Sequence, residues 1–311
     1  MTKAEPAPGL PALFTPGDAE DKAYINLRDL ADEPHAVAGR AFCERLWRTF
    51  HADADPHFLT EIRRDFHARF WEMYLTCALR QRAAKRGCQV TCPKSSKGSP
   101  DVLLEFEGRR IWIEAVTVTD GDPFKPDAPV EANRPKPGQI PDEQILLRYT
   151  TAIDAKFKKL LDYRQKGIVD EKDGYVIALN AYPLTFRWAE PEMPRFLKSI
   201  YPLGPLQFII DKKAMKLVET RHEFRDRVAK KSGTTIPTTI FLDKRFAGIS
   251  AVLHSYANAC MKQDPLGLDF LIAHNPLTTQ PLPLALLPSD REYTTELGED
   301  ECKLTCHKGA I

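Results

Sequence analysis

Residues 100–118 read PDVLLEFEGRRIWIEAVTV, and this stretch decides the fold class. Two short runs rich in branched and aromatic residues, Val102 to Phe106 and Ile111 to Val118, lie on either side of Glu107-Gly108. A dipeptide of this kind between two apolar runs is typical of a two-residue hairpin turn. The pattern therefore predicts two antiparallel strands joined by a tight turn.

Counting outward from this turn places Asp101 directly opposite Glu114, with Cβ atoms about 5 Å apart. Facing carboxylates destabilise a strand pair unless a cation lies between them, and hard oxygen ligands favour Mg²⁺ or Mn²⁺. We therefore expect a metal site here, provided that the register is not shifted by one residue. A second interpretation stays open, in which Asp101 caps the turn after Ser99-Pro100 and Glu114 protects an edge strand.

Helices are predicted before and after the hairpin. Apolar residues recur at intervals of three and four from about His35 to Phe50 and from about Phe58 to Arg86, where Gly87 is a typical helix end. A long loop rich in Pro and Asp, Asp120 to Pro141, precedes a third predicted helix from about Asp142 to Lys166. The hairpin thus lies between helical segments.

The rest of the chain mixes predicted strands and helices, which indicates an α/β fold. Buried strands are expected at Tyr175 to Asn180, Leu206 to Ile210, Ile236 to Leu242, and Leu268 to Ala273. Helical or loop stretches are expected around Pro194 to Ile200, Lys213 to Lys230, and Ile249 to Cys260. We expect a flexible arm over residues 1–20, one α/β domain over 21–285 with its core at about 60–180, and a peripheral tail over 286–311.

Composition narrows the class of protein. The chain has 311 residues, 43% of them hydrophobic, and 44 Lys and Arg against 43 Asp and Glu, for a formal net charge of +1. These values exclude disordered and collagen-like classes and mean that any polyanion site must be local. No apolar run approaches the roughly 20 residues that span a bilayer. Seven irregularly spaced cysteines and an N-terminus without a signal-peptide pattern lead us to expect no membrane association and a cytoplasmic location.

The hairpin resembles the motif of the PD-(D/E)xK, or restriction-endonuclease-like, nuclease superfamily. The residues that carry the resemblance are Pro100-Asp101, Ile113-Glu114-Ala115-Val116, and the preceding helix segment Phe70-Trp71-Glu72-Met73-Tyr74. The resemblance implies a restriction-endonuclease-like fold, a mixed central sheet flanked by helices with N-terminal helical and C-terminal extensions. It also implies that Asp101 and Glu114, with the Ala115 carbonyl, hold the metal and that Glu72 makes a supporting contact. A lysine two residues after the Glu orients or activates water in that family, and here Val116 takes its position.

Lys156 is our candidate to replace that lysine. On a helical projection it lies in the middle of the apolar stripe formed by Tyr149, Ile153 and Leu160, whereas Lys159 lies at the edge of the stripe. The alternative, in which Lys156 packs its stem and extends its ammonium group into water, stays open. By the same projection Glu72 is more than 90° from the apolar stripe of its own helix, so periodicity alone predicts that it faces solvent.

Four basic residues are predicted to contact nucleic-acid phosphates: Lys94, Lys97, Arg148 and Lys159. Basic clusters of this size are also typical of solvated helix faces, so that interpretation stays open as well. A composite zinc site built from Cys88, Cys92 and the C-terminal pair Cys302 and Cys306 is disfavoured by its spacing.

The sequence thus favours a nuclease that uses Mg²⁺ or Mn²⁺ to hydrolyse phosphodiester bonds, most simply in DNA. A catalytically inactive nuclease-like fold that binds nucleic acid or a protein is the main alternative, since Val116 stands where the family has lysine. A phosphoesterase for small substrates is a third. Assembly as a homodimer is left open.

Overall fold

The computed structural model describes residues 9–94, 98–129, 140–261, 263–299 and 301–309. Within them the chain is mixed α/β, as predicted, with an eight-stranded mixed sheet flanked by helices. The helices are α1 (Lys22–Asp29), α2 (Pro34–Phe50), α3 (Phe58–Glu61), α4 (Phe66–Arg86), α5 (Asp142–Gln165) and α6 (Arg195–Ile200). The strands are β1 (Gln89–Thr91), β2 (Val102–Phe106), β3 (Arg109–Thr117), β4 (Gly174–Asn180), β5 (Leu203–Asp211), β6 (Lys216–Phe224), β7 (Arg227–Ala229), β8 (Thr235–Pro237), β9 (Ala251–Ser255), β10 (Leu271–His274), β11 (Arg291–Leu297) and β12 (Cys302–Lys308).

The main sheet has the strand order β1-β2-β3-β4-β9-β10-β11-β12. Strands β3, β4 and β9 are parallel neighbours, whereas β2 is antiparallel to both β1 and β3. On the other side, β10 is antiparallel to β9 and parallel to β11, and β12 is the antiparallel edge strand. The hairpin of β2 and β3 therefore leads directly into the parallel centre of the sheet.

The predicted hairpin and its register are confirmed. The turn residues Glu107 and Gly108 have φ angles of 50° and 74°, the left-handed conformation that a tight hairpin turn of the twisted sheet requires. Strand pairing then continues without a shift to Val102, which lies opposite Ile113.

Residues of β3 alternate between two separate cores, as predicted. Ile111 and Ile113 pack in the core that contains α2 and α4. Trp112 faces the other side of the sheet and packs in the core that contains Tyr149 of α5. Because side chains alternate along a strand, Glu114 points to the same side as Trp112, toward α5.

The single helix predicted from Phe58 to Arg86 is divided in the structure into α3 and α4. The break occurs because the Asp65 carboxylate accepts a hydrogen bond from the Ala68 amide at 3.1 Å and so caps a new helix. The predicted end at Gly87 is confirmed, with a φ of 67° that suits glycine at a helix terminus.

The strand predicted at Leu206 to Ile210 is present, but the prediction that it is buried is wrong. These residues belong to β5, which pairs with β6 in a separate two-stranded ribbon whose residues are mostly exposed. Alternating apolar residues look the same in a sequence whether their face packs on a core or projects from the molecule. Lys213 to Lys230, expected to be helical or loop, instead contains β6 and β7.

Two further predictions are wrong. The strand expected over Ile236 to Leu242 stops at Pro237, which has no N–H to continue a ladder, and a 3₁₀ turn follows at Ile240–Leu242. The stretch Ile249 to Cys260, expected to be helical or loop, contains β9, a fully buried strand between β4 and β10. A five-residue strand is too short for periodicity to identify.

The C-terminal residues, expected to form a peripheral tail from residue 286, instead add β11 and β12 to the sheet. Leu286 and Leu287 are buried in the core beside α4. The apolar pattern is weak here because β11 and β12 carry many polar residues, and most of β12 is exposed or half-buried.

The part of the expected N-terminal arm that the structure describes, residues 9–20, lies against the helices. Leu13 is buried, and its amide donates a hydrogen bond to Glu44 of α2 at 2.9 Å. Residues 1–8 lie outside the described residues. In the part of the chain that the structure describes, no helix is long and apolar enough to cross a membrane.

A buried carboxylate fixes the start of β3 beside β4. Asp173, which directly precedes β4, accepts hydrogen bonds from Arg110 Nε and Nη2 at 2.9 and 2.6 Å. It also accepts from Trp112 Nε1 at 2.9 Å and from the Asp170 amide at 2.8 Å. This side chain therefore holds the strand that carries Glu114.

We expect Asp173→Ala to lower the free energy of unfolding by about 2–4 kcal/mol, because it leaves the buried Trp112 Nε1 and the partly buried Asp170 amide without an acceptor. Urea denaturation followed by tryptophan fluorescence measures the loss. The control Asp154→Ala breaks the exposed pair with Lys158 and should cost no more than about 0.5 kcal/mol. Equal losses of unfolding free energy in the two variants would contradict a stabilising role for Asp173 at the start of β3.

Candidate active site

Asp101 and Glu114 occupy the positions that the hairpin register predicts. Asp101 comes directly before β2 and Glu114 directly after Ile113, the last paired residue of β3 on this side. Beyond that pair, Asp101 Oδ2 accepts a hydrogen bond from the Ala115 amide at 2.6 Å. The carboxylate thus takes the place of the next backbone partner of β3.

The second interpretation, in which Asp101 caps a turn and Glu114 protects an edge strand, is not what the structure shows. The Asp101 carboxylate bonds across to β3 rather than to a turn amide. Glu114 is not a charge on an edge strand, because β3 lies between β2 and β4 and only 2% of the Glu114 side chain is exposed.

Helix α5 brings three polar side chains to Glu114. Lys156 Nζ lies 2.7 Å and Lys159 Nζ 3.0 Å from Glu114 Oε1. The Tyr163 hydroxyl donates to Oε2 at 3.3 Å. The prediction that Lys156 points to this site is therefore confirmed, and Lys159 joins it there.

The two lysines differ in burial. The Lys156 side chain is 14% exposed, and that of Lys159 is 54% exposed. Lys156 is thus the more buried partner of Glu114, whereas Lys159 reaches Glu114 from the surface.

The Asp101 carboxyl is buried close to two other carboxylates. Burial, followed by the nearby Glu114 and Glu72 carboxylates, raises the pKa of Asp101 to about 7. Lys156 and the Ala115 amide act in the opposite direction but do not cancel these effects. Burial lowers the pKa of Lys159, but Glu114 and Asp101 outweigh it, so the pKa rises and this side chain is a cation at neutral pH.

Glu72 lines the same cleft as Asp101. The cleft has a volume of about 570 Å³ and lies between α4 and the segment that leads into β2. Arg69 Nη1 lies 2.6 Å from Glu72 Oε2, and burial raises the pKa of Glu72. The prediction from periodicity that Glu72 faces solvent is wrong, because residues near Pro93 and Pro100 cover this side of α4.

The residues predicted to contact nucleic acid are divided among different places. Lys94 lines the cleft and donates to the Ala54 carbonyl at 2.9 Å. Arg148 instead donates to the Thr119 carbonyl at 2.7 Å and so holds the loop after β3. Lys97 lies outside the described residues.

The reasoning from sequence missed two functional candidates. Arg69 bridges Glu72 and Glu61, and its spacing of three residues from Glu72 on a helix is the signal that could have found it. Tyr163 falls in the predicted apolar stripe of α5 as a buried ring, but its hydroxyl reaches the site. Burial and Glu114 raise its pKa, so the hydroxyl stays protonated and donates.

The structure separates the cysteines of the composite zinc site that their spacing disfavours. Cys88 and Cys92 flank β1 at one edge of the sheet, whereas Cys302 and Cys306 lie on β12 at the opposite edge. Among the described residues, no group of three or more His, Cys, Asp and Glu side chains is placed to hold a metal ion.

Comparison with protein-family models, with curated proteins and with solved structures finds no match for this chain. The geometry of the site therefore carries the functional argument.

We expect Asp101→Asn to stabilise the metal-free protein more as the pH rises. The folded protein keeps the Asp101 proton up to a pKa of about 7, whereas an unfolded aspartate releases it near 3.8. This contribution to stability is present below about pH 4 and is lost as the pH rises through about 7. Asn cannot ionise and avoids the loss.

Urea denaturation in EDTA at several pH values measures this effect. The free energy of unfolding of Asp101→Asn, relative to that of the wild type, should increase by on the order of 4 kcal/mol between pH 4 and pH 8. A difference that is independent of pH would show that the Asp101 carboxyl does not titrate in this range.

Proposed function

We propose that the protein is a metal-dependent nuclease of the PD-(D/E)xK type that hydrolyses phosphodiester bonds, with DNA as its substrate. The observation that carries the proposal is that Lys156 of α5 pairs with Glu114 at 2.7 Å, while Asp101, which lines the cleft, accepts a hydrogen bond from the amide of Ala115, the residue after Glu114. This combination of two carboxylates and a buried ammonium group supports metal-assisted hydrolysis.

The donor set fits Mg²⁺ or Mn²⁺. Asp101 and Glu114 supply hard oxygen ligands, and burial followed by the neighbouring carboxylates raises the pKa of Asp101 to about 7, so a divalent cation would stabilise its ionised form. The amide and carbonyl of one extended residue point to the same side of a strand, so the Ala115 carbonyl faces Asp101 together with its amide. Mg²⁺ keeps several water ligands, so two carboxylates and one carbonyl are sufficient protein ligands.

When bound, the metal ion lowers the pKa of a water molecule and stabilises charge on the phosphate. Lys156 provides a buried positive charge 2.7 Å from Glu114, where it can donate a hydrogen bond to the attacking water or to a phosphate oxygen. Tyr163 donates to the second oxygen of Glu114 and keeps this carboxylate oriented. Glu72, fixed by Arg69, adds a carboxylate at the wall of the cleft.

A catalytically inactive fold that binds nucleic acid or a protein is the second candidate. The observation that favours it is that both ammonium groups pair with the same Glu114 oxygen while Val116 stands in the position of the family's lysine. Binding of DNA that is unaffected by chelation, without cleavage under any metal, would support this candidate.

We expect Asp101→Asn, Glu114→Gln and Lys156→Gln each to reduce Mg²⁺-dependent cleavage of plasmid and linear DNA by at least about 100-fold, because each removes a ligand or the buried charge. Lys158→Gln is the matched control, since Lys158 is 72% exposed and pairs with Asp154. Its rate should stay within about twofold of the wild type. Full activity in the two carboxylate variants would refute the proposed centre, and loss only in Lys159→Gln would assign the lysine role to Lys159.

Binding of the metal is tested without any turnover. Mg²⁺ or Mn²⁺ at ten times its Kd should stabilise the wild type by about 1.4 kcal/mol, which raises the Tm by a few degrees. Asp101→Asn should abolish this shift in differential scanning fluorimetry. An equal shift in the variant would place the metal elsewhere.

A further inference from the structure

A second cleft, distinct from the candidate metal site, lies at the C-terminal end of α5. It has a volume of about 440 Å³ and is lined by four basic side chains. These are Arg164, Lys172, Lys244 and Arg245. None of the residues that line it also lines the cleft of Asp101. The two clefts are therefore separate features of the surface.

Arg164 is held in an unusual state for a surface arginine. Its Nε atom is buried and has no hydrogen-bond partner among the described residues. Its guanidinium group lies against Gly248, where an added Cβ would fall 2.8 Å from Nη1 and 3.1 Å from Cζ. The absence of a side chain at position 248 thus creates the space that the guanidinium group occupies.

The charge of this second cleft is only partly compensated. Two carboxylates oppose its four cations: Glu171 on its wall, and Asp243, which pairs with Arg245 at 2.5 Å. Lys172 and Lys244 have no acidic partner among the described residues, and both are exposed. Two positive charges therefore remain available to an anion.

A helix-end arginine that merely neutralises the helix dipole would donate to the last carbonyl groups of the helix. The Arg164 side chain does not do this through Nε, which donates to no protein atom in the described part of the chain. The backbone carbonyl of Arg164 is already satisfied, because it accepts from the Gly167 and Lys166 amides. Phe157, two turns earlier on the same side of α5, packs against Phe246 with ring centroids 4.5 Å apart. This contact holds α5 beside the segment that carries Lys244 and Arg245.

We propose that the second cleft is a phosphate-binding site. A planar guanidinium group with flanking ammonium groups matches a phosphate, which offers several oxygen acceptors and up to two negative charges. A nucleic-acid backbone and a free nucleotide or inorganic phosphate share this chemistry. The first source rests on the proposed nuclease function, and the second does not.

The test uses one variant that leaves every charge in place. Gly248→Ala adds a methyl group that must displace the flexible end of Arg164, and Arg164→Gln removes the guanidinium group. Each should weaken binding of inorganic phosphate, measured by ³¹P NMR or calorimetry, by at least about fivefold. Lys158→Gln, which removes one exposed charge from the same helix, should change it by less than about twofold. Circular dichroism melting confirms that each variant folds.

A second arm identifies the source of the phosphate. Anisotropy of a fluorescent DNA duplex in EDTA measures binding without cleavage, and the double variant Arg164→Gln with Lys244→Gln should reduce the slope of log K against log salt by about 1–2. Weaker DNA binding in Gly248→Ala and in this double variant supports the nucleic-acid backbone as the ligand. Weaker phosphate binding with unchanged DNA binding supports a free phosphate compound and leaves the nuclease proposal intact. If neither probe responds to Gly248→Ala or Arg164→Gln, the site does not exist, whatever the outcome for Asp101→Asn.

Discussion

The burial of the Glu114 carboxylate in the middle of the sheet is the constraint on which the arrangement of the site depends. An ionised carboxylate with only 2% of its side chain exposed costs several kcal/mol unless partners compensate it. Lys156, Lys159 and Tyr163 supply those partners from one helix. Helix α5 must therefore pack against β3 with the face that carries these three side chains over Glu114. The packing of α5 and the polar contacts of the site thus depend on the same helix orientation.

Those parts of the structure that depend on local periodicity could be predicted from the sequence. The turn at Glu107-Gly108 fixes the register, and a period of two along β3 then places Glu114 opposite Asp101. A period of 3.6 along α5 places Lys156 toward the sheet. Strand β9 could not be found in this way because it has only five residues, and β11 and β12 could not because they carry many polar residues.

Periodicity also fails to predict the contacts of side chains around the site. Glu72 lies off the apolar stripe of α4, so its half-buried position depends on a segment that crosses the helix from elsewhere. Lys159 lies at the edge of the apolar stripe and still reaches Glu114, because a long side chain spans the difference. Periodicity gives the direction of a Cα–Cβ bond, but tertiary neighbours decide what the end of the side chain contacts.

The neighbouring parallel strands β4 and β9 are separated by the whole segment from Asn180 to Ala251, which includes the exposed ribbon. During synthesis on the ribosome, every residue of the candidate active site emerges well before β9 does. Until then β4 presents an open edge with unpaired backbone groups, which is a template for aggregation. The second half of the chain thus covers the β4 edge with β9, and truncation after β4 would leave that edge unpaired although it removes none of the candidate site residues.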